Sequence, residues 1–266
     1  MKPEAADAIA EKFVTARRFA QPLPVYPGAQ PAVLESAYGI QDAAIARFPA
    51  AIGGWKVGRI WPPQSEQLGS QRLAGPIFVD AIQRANGRPV AGRIFEGGFG
   101  AAEAEFLLCV GKNADPAKAD YTLDEAAAMI ASVHVGIEIA SSPFPGINVL
   151  GPLVTISDFG NNNGVVIGAE VPDWQNSGFA DWDVALSIDG VEVGTGRAAA
   201  FPDGPIGSVR FLLENLAMRG IAVPQGTWIS TGAITGVHEV CAGQRVEAHF
   251  GDRYSVDCTI EAATAR

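Results

Sequence analysis

The sequence predicts an α+β fold, in which a small helical N-terminal region feeds one mixed, strand-rich body. Three observations carry this. Apolar residues recur at helical spacing through the first 48 residues. From residue 88 onward, short apolar or alternating runs bounded by turn residues dominate. No repeat, low-complexity tract or flexible linker divides the chain.

The elements follow in order. Residues 3–19 read as a helix with Ala6, Ile9, Ala10, Phe13 and Val14 on its apolar side. Pro22, Pro24 and Pro27 break it. A second helix runs from about Pro31 to Phe48 through Leu34, Ala37, Tyr38, Ile40, Ala44 and Ile45. Gly53 to Gly58 turns into a short strand that Pro62 and Pro63 end. A short helix is expected from Ser65 to Gly69, and a strand from Pro76 to Asp80. Further strands are expected near 88–95, 101–111, 150–157, 164–169, 183–189, 191–199, 227–233, 244–249 and 254–260. Helices interrupt near 122–132 and 204–219. Thr122 with Glu125 three residues on is a capping-box pattern for the first. Ile206, Val209, Leu212, Leu213 and Leu216 lie at helical spacing in the second. Asp189-Gly190 between two apolar runs is a two-residue hairpin signal. The expected organisation is a helical region over 1–85 packing on a body over 86–266, as one structural unit.

Composition narrows the function. At 266 residues and 48% hydrophobic, the chain is long enough to bury a sizeable core. A formal net charge of −10 argues against a nucleic-acid partner, which needs a basic face. It leaves an anionic substrate open, since a bound cation supplies local positive charge. No apolar stretch reaches the roughly 18 residues that span a bilayer. The N-terminus lacks the uninterrupted apolar core of a signal peptide. Cys109, Cys241 and Cys258 have no CxxC spacing, which fits a reducing cytoplasm better than a disulfide framework.

The chemistry concentrates at Glu103 and Glu105, one residue apart ahead of an apolar run. On a strand, residues i and i+2 share a face, so both carboxylates leave the same side. Such a pair either faces solvent or shares a cation. A third acid, Glu138, stands inside another apolar run, Val133 to Ala140. Three carboxylates without a thiolate suit a hard cation such as Mg²⁺ or Mn²⁺. Lys56, between Trp55 and Val57, reads either as a surface charge or as a half-buried amine whose desolvation lowers its pKa for proton transfer. His134 lies four residues before Glu138 and shares its face if the run is a strand; it is either a core histidine or a proton carrier at the site. His238 and His249 look peripheral. Asp158 precedes Phe-Gly-Asn-Asn-Asn-Gly164, where Asp and Asn also serve as turn formers. Ser230-Thr231-Gly232 offers hydroxyls and backbone N–H groups to a carboxylate, or is a strand end with a glycine turn.

Several segments, in this order and approximate spacing, resemble the 2-keto-4-pentenoate hydratase and 2-oxohepta-3-ene-1,7-dioate hydratase branch of the fumarylacetoacetate hydrolase superfamily. They are Ala37-Tyr-Gly-Ile-Gln41, Gly54-Trp-Lys-Val-Gly58, Glu103-Ala-Glu105, Ile137-Glu-Ile139, Asp158, Gly194-Thr-Gly-Arg197, Ser230-Thr-Gly-Ala233 and Gly243 to His249. The resemblance covers most of the chain. It implies a mixed β-roll with a divalent metal, Mg²⁺ or Mn²⁺, held by Glu103, Glu105 and Glu138. It implies a catalytic role for Lys56, an aspartate near the metal at Asp158, and a homo-oligomer.

The sequence departs from the family at Leu73-Ala-Gly-Pro76, where hydratases commonly carry an Asp-Phe-Gly-like triplet whose aspartate is a proposed base. Arg59-Ile60 follows Lys-Val-Gly in place of a small or apolar residue and Thr, and Phe201-Pro-Asp-Gly204 stands where the family has Gly-His-Pro. The implied activity is a lyase: hydration of a small 2-hydroxy-dienoic or 2-oxo-enoic acid to a 4-hydroxy-2-oxo acid, in catabolism of aromatic compounds. Lys56 and His134 are the proton carriers, and Arg59, Asp158, Ser230 and Thr231 the substrate contacts. Decarboxylation of a 4-oxalocrotonate-type 2-oxo-3-enedioate needs the same chelate and no activated water, so the missing aspartate favours it. C–C hydrolysis of an acylpyruvate and a non-catalytic metal-binding homologue remain alternatives.

Overall fold

Apolar spacing sets the N-terminal helices. The computed structural model describes residues 1–87 and 90–265. Helix α1 (Pro3–Phe19) starts with proline in its first turn, buries Ile9, Ala10, Phe13 and Val14, and ends at Ala20 in a left-handed conformation. Helix α2 (Leu34–Arg47) buries Ala37, Tyr38, Ile40, Gln41 and Ala44. Both pack into a cluster with Phe78, Phe144, Ile147, Val154 and Phe159.

The chain then runs through β1 (Ile52–Arg59), α3 (Gln64–Leu68), β2 (Arg72–Phe78), β3 (Ile82–Arg84), β4 (Ala91–Ile94) and β5 (Phe99–Val110). There follow α4 (Leu123–Ala127), β6 (Ile130–Ser142), α5 (Pro152–Ser157), β7 (Asn162–Glu170), β8 (Val184–Ile188) and β9 (Val191–Gly196). The last elements are α6 (Gly204–Met218), β10 (Trp228–Ser230), β11 (His238–Glu239), β12 (Arg245–Phe250) and β13 (Tyr254–Ala262).

An eight-stranded sheet has the order β2-β1-β10-β5-β6-β7-β3, with β11 also pairing β5. A five-stranded sheet has the order β4-β13-β12-β8-β9. The antiparallel β5–β6 pair is the backbone of the large sheet, in unbroken register from Phe99↔Ser142 to Cys109↔Ser132, with a one-residue shift before Val110↔Ile130. Both strands are buried over most of their length, so they read as near-continuous apolar runs. Apolar side chains meet between the sheets, where Phe106 of β5 contacts Phe250 of β12 at 5.1 Å between ring centroids. The α+β expectation describes this architecture.

Several local expectations are met. Thr122 and Glu125 form a capping box, and Ile188 pairs Val191 across Asp189 and Gly190, both at positive φ. Others need correction. The strand expected at 150–157 is helix α5. Its β-branched residues suggested a strand, but Gly151 at φ 90° turns the chain and Pro152 opens a helical turn. That turn buries Val154, Thr155, Ile156 and Ser157 beside α2, so tertiary burial overrides propensity. The helix expected over 122–132 ends at Ala127, because β6 begins at Ile130. Of the strand expected at 88–95, residues 88 and 89 lie outside the described residues, and β4 covers Ala91–Ile94.

Residues on the two sides of position 85 share a core. Trp55, Val57 and Leu73 pack in one cluster with Ala104, Phe106 and Ile137. Within 1–85 the helical part ends at Arg47 apart from short α3, and β1, β2 and β3 belong to the large sheet. Two side chains of α2 tie the helices to that sheet. Tyr38 accepts a hydrogen bond from the Ala74 N–H, and Gln41 donates to the Ala74 and Ile156 carbonyls.

Candidate metal centre and active-site cleft

Register alone assembles the carboxylates. Glu103 of β5 lies directly opposite Glu138 of β6, and Glu105 lies opposite Gly136. Directly opposed residues share a sheet face, so all three carboxylates emerge on one side. One oxygen from each lies within 4.8 Å of the others. All three residues are buried. Three like charges in such a place need a cation.

One is in the protein. Lys56 of β1 is buried and places Nζ 3.2 Å from Glu138 Oε1. Ser230 Oγ donates to Glu105 Oε2 at 2.5 Å, and the Gly232 N–H donates to the same oxygen at 2.8 Å. Asn162 Nδ2 donates to Glu138 Oε1 at 3.0 Å. These bonds hold one oxygen of Glu105 and one of Glu138. Among the described residues, Glu105 Oε1 and Glu138 Oε2 are buried without a hydrogen-bond partner. Orphaned buried carboxylate oxygens call for an explanation, and a bound divalent cation provides one. The donor set is all oxygen, which fits Mg²⁺ or Mn²⁺.

The electrostatics agree. Burial raises the pKa of Glu103 to about 7, opposed by Lys56 and reinforced by Glu138. Burial pushes Glu105 well above the ordinary carboxylate range, reinforced by Glu138 and Glu103 and opposed by Lys56. For Lys56, burial pulls the pKa down, but Glu138, Glu103 and Glu105 together outweigh it and the net shift is upward. The expectation of a lysine with a lowered pKa is therefore corrected. Its ammonium is held by the carboxylates, not stripped of its proton by burial.

A cleft of about 500 Å³ opens onto this cluster. Lys56 and Glu103 lie on its lining with Arg59, Trp61, Asn161 and Phe201. Arg59 stacks its guanidinium over Trp61 at 3.7 Å from the ring centroid. The segment Leu73-Ala-Gly-Pro76 contributes only Leu73 to the lining, and Glu103 is the one acid among the described lining residues. Asn161 is buried, and its Oδ1 has no partner. A larger hollow of about 980 Å³ lies elsewhere, over the five-stranded sheet beside Trp182 and Tyr254. None of the three clustered glutamates lines it, so size does not locate the chemistry here.

Other expected site residues are placed differently. His134 shares the face of Glu138 but does not line the cleft. Its ring nitrogens meet the Gly168 carbonyl and Ser132 Oγ at 3.1 and 3.2 Å, and its ring packs against Trp228. Leu107 fills the space over Gly136, between His134 and Glu138: an added Cβ on Gly136 would come 2.3 Å from Leu107 Cδ1. Asp158 is buried against Arg17, at 2.6 Å from Nε, and offers nothing to the cleft. Thr231 Oγ1 donates to the Phe106 carbonyl and also stays out of the lining. Ser230 touches Glu105, not the cleft. Arg59 alone of the expected substrate contacts reaches it.

The asparagines after Asp158 read as turn formers, and Asn161 does stand in a left-handed turn; the Asn162 bond to Glu138 and the Arg17 pair with Asp158 carry no local sequence signal.

No family model matches the sequence. A 4-oxalocrotonate decarboxylase of Pseudomonas putida is 27% identical over 95 residues, a match that spans 36% of this chain and 36% of that relative. The solved 4-oxalocrotonate decarboxylase of Pseudomonas putida G7, complexed with magnesium and adipate, superposes with a TM-score of 0.81 at 21% identity and covers 98% of both chains. Fumarylpyruvate hydrolase of Pseudomonas aeruginosa, complexed with Mn²⁺ and pyruvate, gives a TM-score of 0.56 at 17% identity over 81% of this chain and 91% of that one. The chain thus shares the fold of these two enzymes, over nearly its whole length in the case of the decarboxylase.

Proposed function

We propose that the protein is a metal-dependent lyase that decarboxylates a 2-oxo-3-enedioate of the 4-oxalocrotonate type. The observation that carries the reading is a buried Glu103–Glu105–Glu138 cluster with two free oxygens, beside Lys56, at the end of a cleft with no other carboxylate among its described lining residues. Hydration needs a base to activate water, and the described cleft lining offers neither a second acid nor a histidine. Decarboxylation has no such requirement. Likeness in fold and partial sequence to 4-oxalocrotonate decarboxylase favours the same choice.

Glu103, Glu105 and Glu138 would hold one Mg²⁺ or Mn²⁺. When bound, the cation supplies an electrophile for the 1-carboxylate and the 2-oxo oxygen and stabilises negative charge that develops on that oxygen. The chain supplies the rest. Ile60, Leu73 and Phe201 give the cleft apolar lining, and loss of a carboxylate as neutral CO₂ is favoured wherever the departing group lies against such a surface. The bond from C5 to the far carboxyl carbon breaks, and its electron pair moves through the C3–C4 double bond onto the 2-oxo oxygen. Lys56 donates a proton to that oxygen, giving a 2-hydroxy-2,4-dienoate, and takes one back from water. Arg59 on Trp61 provides positive charge that draws a dianion into the cleft.

The test supplies Mg²⁺-loaded protein with 4-oxalocrotonate and, separately, with 2-hydroxypenta-2,4-dienoate. CO₂ release from the first and a stable diene absorbance with the second are expected. Loss of the diene absorbance, with no CO₂ from the dioate, would return the reading to a hydratase.

A further inference from the structure

Arg17 sits on α1, far from the cleft in sequence, and is buried. Its guanidinium is fully used. Nε and one terminal nitrogen grip Asp158 at 2.6 and 2.9 Å, a bidentate pair. The same fork donates to the Ser141 carbonyl at the end of β6 and to the Asn162 carbonyl, each at 3.0 Å. Ser142 Oγ closes the clamp with a 2.6 Å bond to Asp158.

The clamped segment serves the metal centre. Between Asp158 and Asn162 the backbone makes a left-handed turn, with Phe159 at φ 54°, Gly160 at 64° and Asn161 at 63°. Left-handed geometry at an aromatic residue does not persist unless neighbours hold it. This turn lies against the Lys56 stem: a Cβ on Gly160 would come 3.1 Å from Lys56 Cδ. It ends at Asn162, whose carbonyl takes the Arg17 bond and whose side chain holds Glu138. A hydrogen-bond path therefore runs from Arg17 to Asn162 to Glu138.

We propose that Arg17 is a positioning residue for the metal centre, acting through Asn162 on Glu138. The proposal rests on the cation site described above. It makes the N-terminal helix a working part of the site and not only a cover for the sheet.

The test is a double-mutant cycle read by Mg²⁺ titration calorimetry on the full chain, with melting temperature as the check of folding. Arg17→Lys keeps a charge for Asp158 but loses the fork that reaches Asn162 and Ser141. Asn162→Ala removes the bond to Glu138. Loss of a residue that orients a ligand typically weakens metal binding ~10–100-fold, and Asn162→Ala is expected in that range. Arg17→Lys is expected to weaken it by several-fold to about tenfold in a folded protein. The double variant should bind no more weakly than Asn162→Ala alone. Ser142→Ala loosens Asp158 without removing a charge and runs the same cycle should Arg17→Lys not fold. Parent-like Mg²⁺ affinity in Arg17→Lys, or losses that multiply in the double variant, would overturn the proposal. Unchanged affinity in Glu105→Gln would overturn the metal centre itself, and is read separately.

Discussion

At the scale of single residues, the site is a balance between three buried carboxylates and one buried ammonium. Lys56 lies 3.2 Å from Glu138, and the glutamates raise its pKa despite burial. Its charge thus depends on their state, and a divalent cation on the carboxylates would relax that hold. Lys56→Ala removes the proton donor while leaving the oxygen ligands. Turnover should fall by ~10²–10⁴, the usual worth of general acid catalysis, with Mg²⁺ binding retained. Steady-state rates and a metal titration measure both. Parent-like turnover would remove the lysine from the mechanism. The glutamate pair was legible in the sequence because strand periodicity puts i and i+2 on one face. The same periodicity put His134 on that face and left open whether it reaches the site. Periodicity gives the face but not the distance along it, and Leu107 over Gly136 separates the ring from the acids.

At the scale of elements, close backbone approach fixes the cleft wall. Gly75 of β2 faces the left-handed turn, and a Cβ there would come 2.2 Å from the Phe159 carbonyl oxygen. Backbone cannot give way as a side chain tip does. Gly75→Ala should destabilise the protein by about 1–3 kcal/mol, the usual range for overpacking. Gly39 is the contrast. It is exposed within α2, and a Cβ there meets nothing within 4 Å. Gly39→Ala should stabilise by about 0.5–1 kcal/mol, from helix propensity and a less flexible unfolded chain. Urea unfolding of both variants gives the signs, and equal effects would contradict the packing argument. Elements with their own local signals were read well from sequence. The α1 apolar stripe, the α4 capping box and the Asp189-Gly190 hairpin all carry such signals. Helix α5 was misread because its β-branched residues favour a strand, and only Gly151 and burial beside α2 make it helical.

At the scale of the whole molecule, the buried acids couple stability to pH. Glu103 titrates at about 7 in the folded protein against an ordinary value of 4.5, and Glu105 is also raised. Between those values the folded state binds more protons than the unfolded one, so stability falls as pH rises. The contribution is whole below the ordinary value and is lost as pH climbs through the folded one. Lys56 adds no slope there, since its shift lies at the alkaline end. The melting temperature of metal-free protein should therefore decline from pH 5.5 to pH 8. Added Mg²⁺ should raise it more at pH 8, where protons no longer compete for the carboxylates. A Mg²⁺ effect that is equal at both pH values would argue against the glutamates as its ligands.

The sequence by itself determined the α+β class, most strands and helices, and the shared face of Glu103 and Glu105, because each is written in local periodicity or in spacing along one strand, whereas Glu138 joins them through cross-strand register. It also held the absence of a carboxylate at Leu73-Ala-Gly-Pro76, although the resemblance as a whole implied hydration. Tertiary structure decided the rest. It closed Asp158 on Arg17, set Ser230 behind Glu105, and put Asn162 on Glu138. These are contacts between residues as many as 141 positions apart. No local pattern encodes them, because which buried donor meets which buried acceptor is settled only when the sheet and the N-terminal helices pack together.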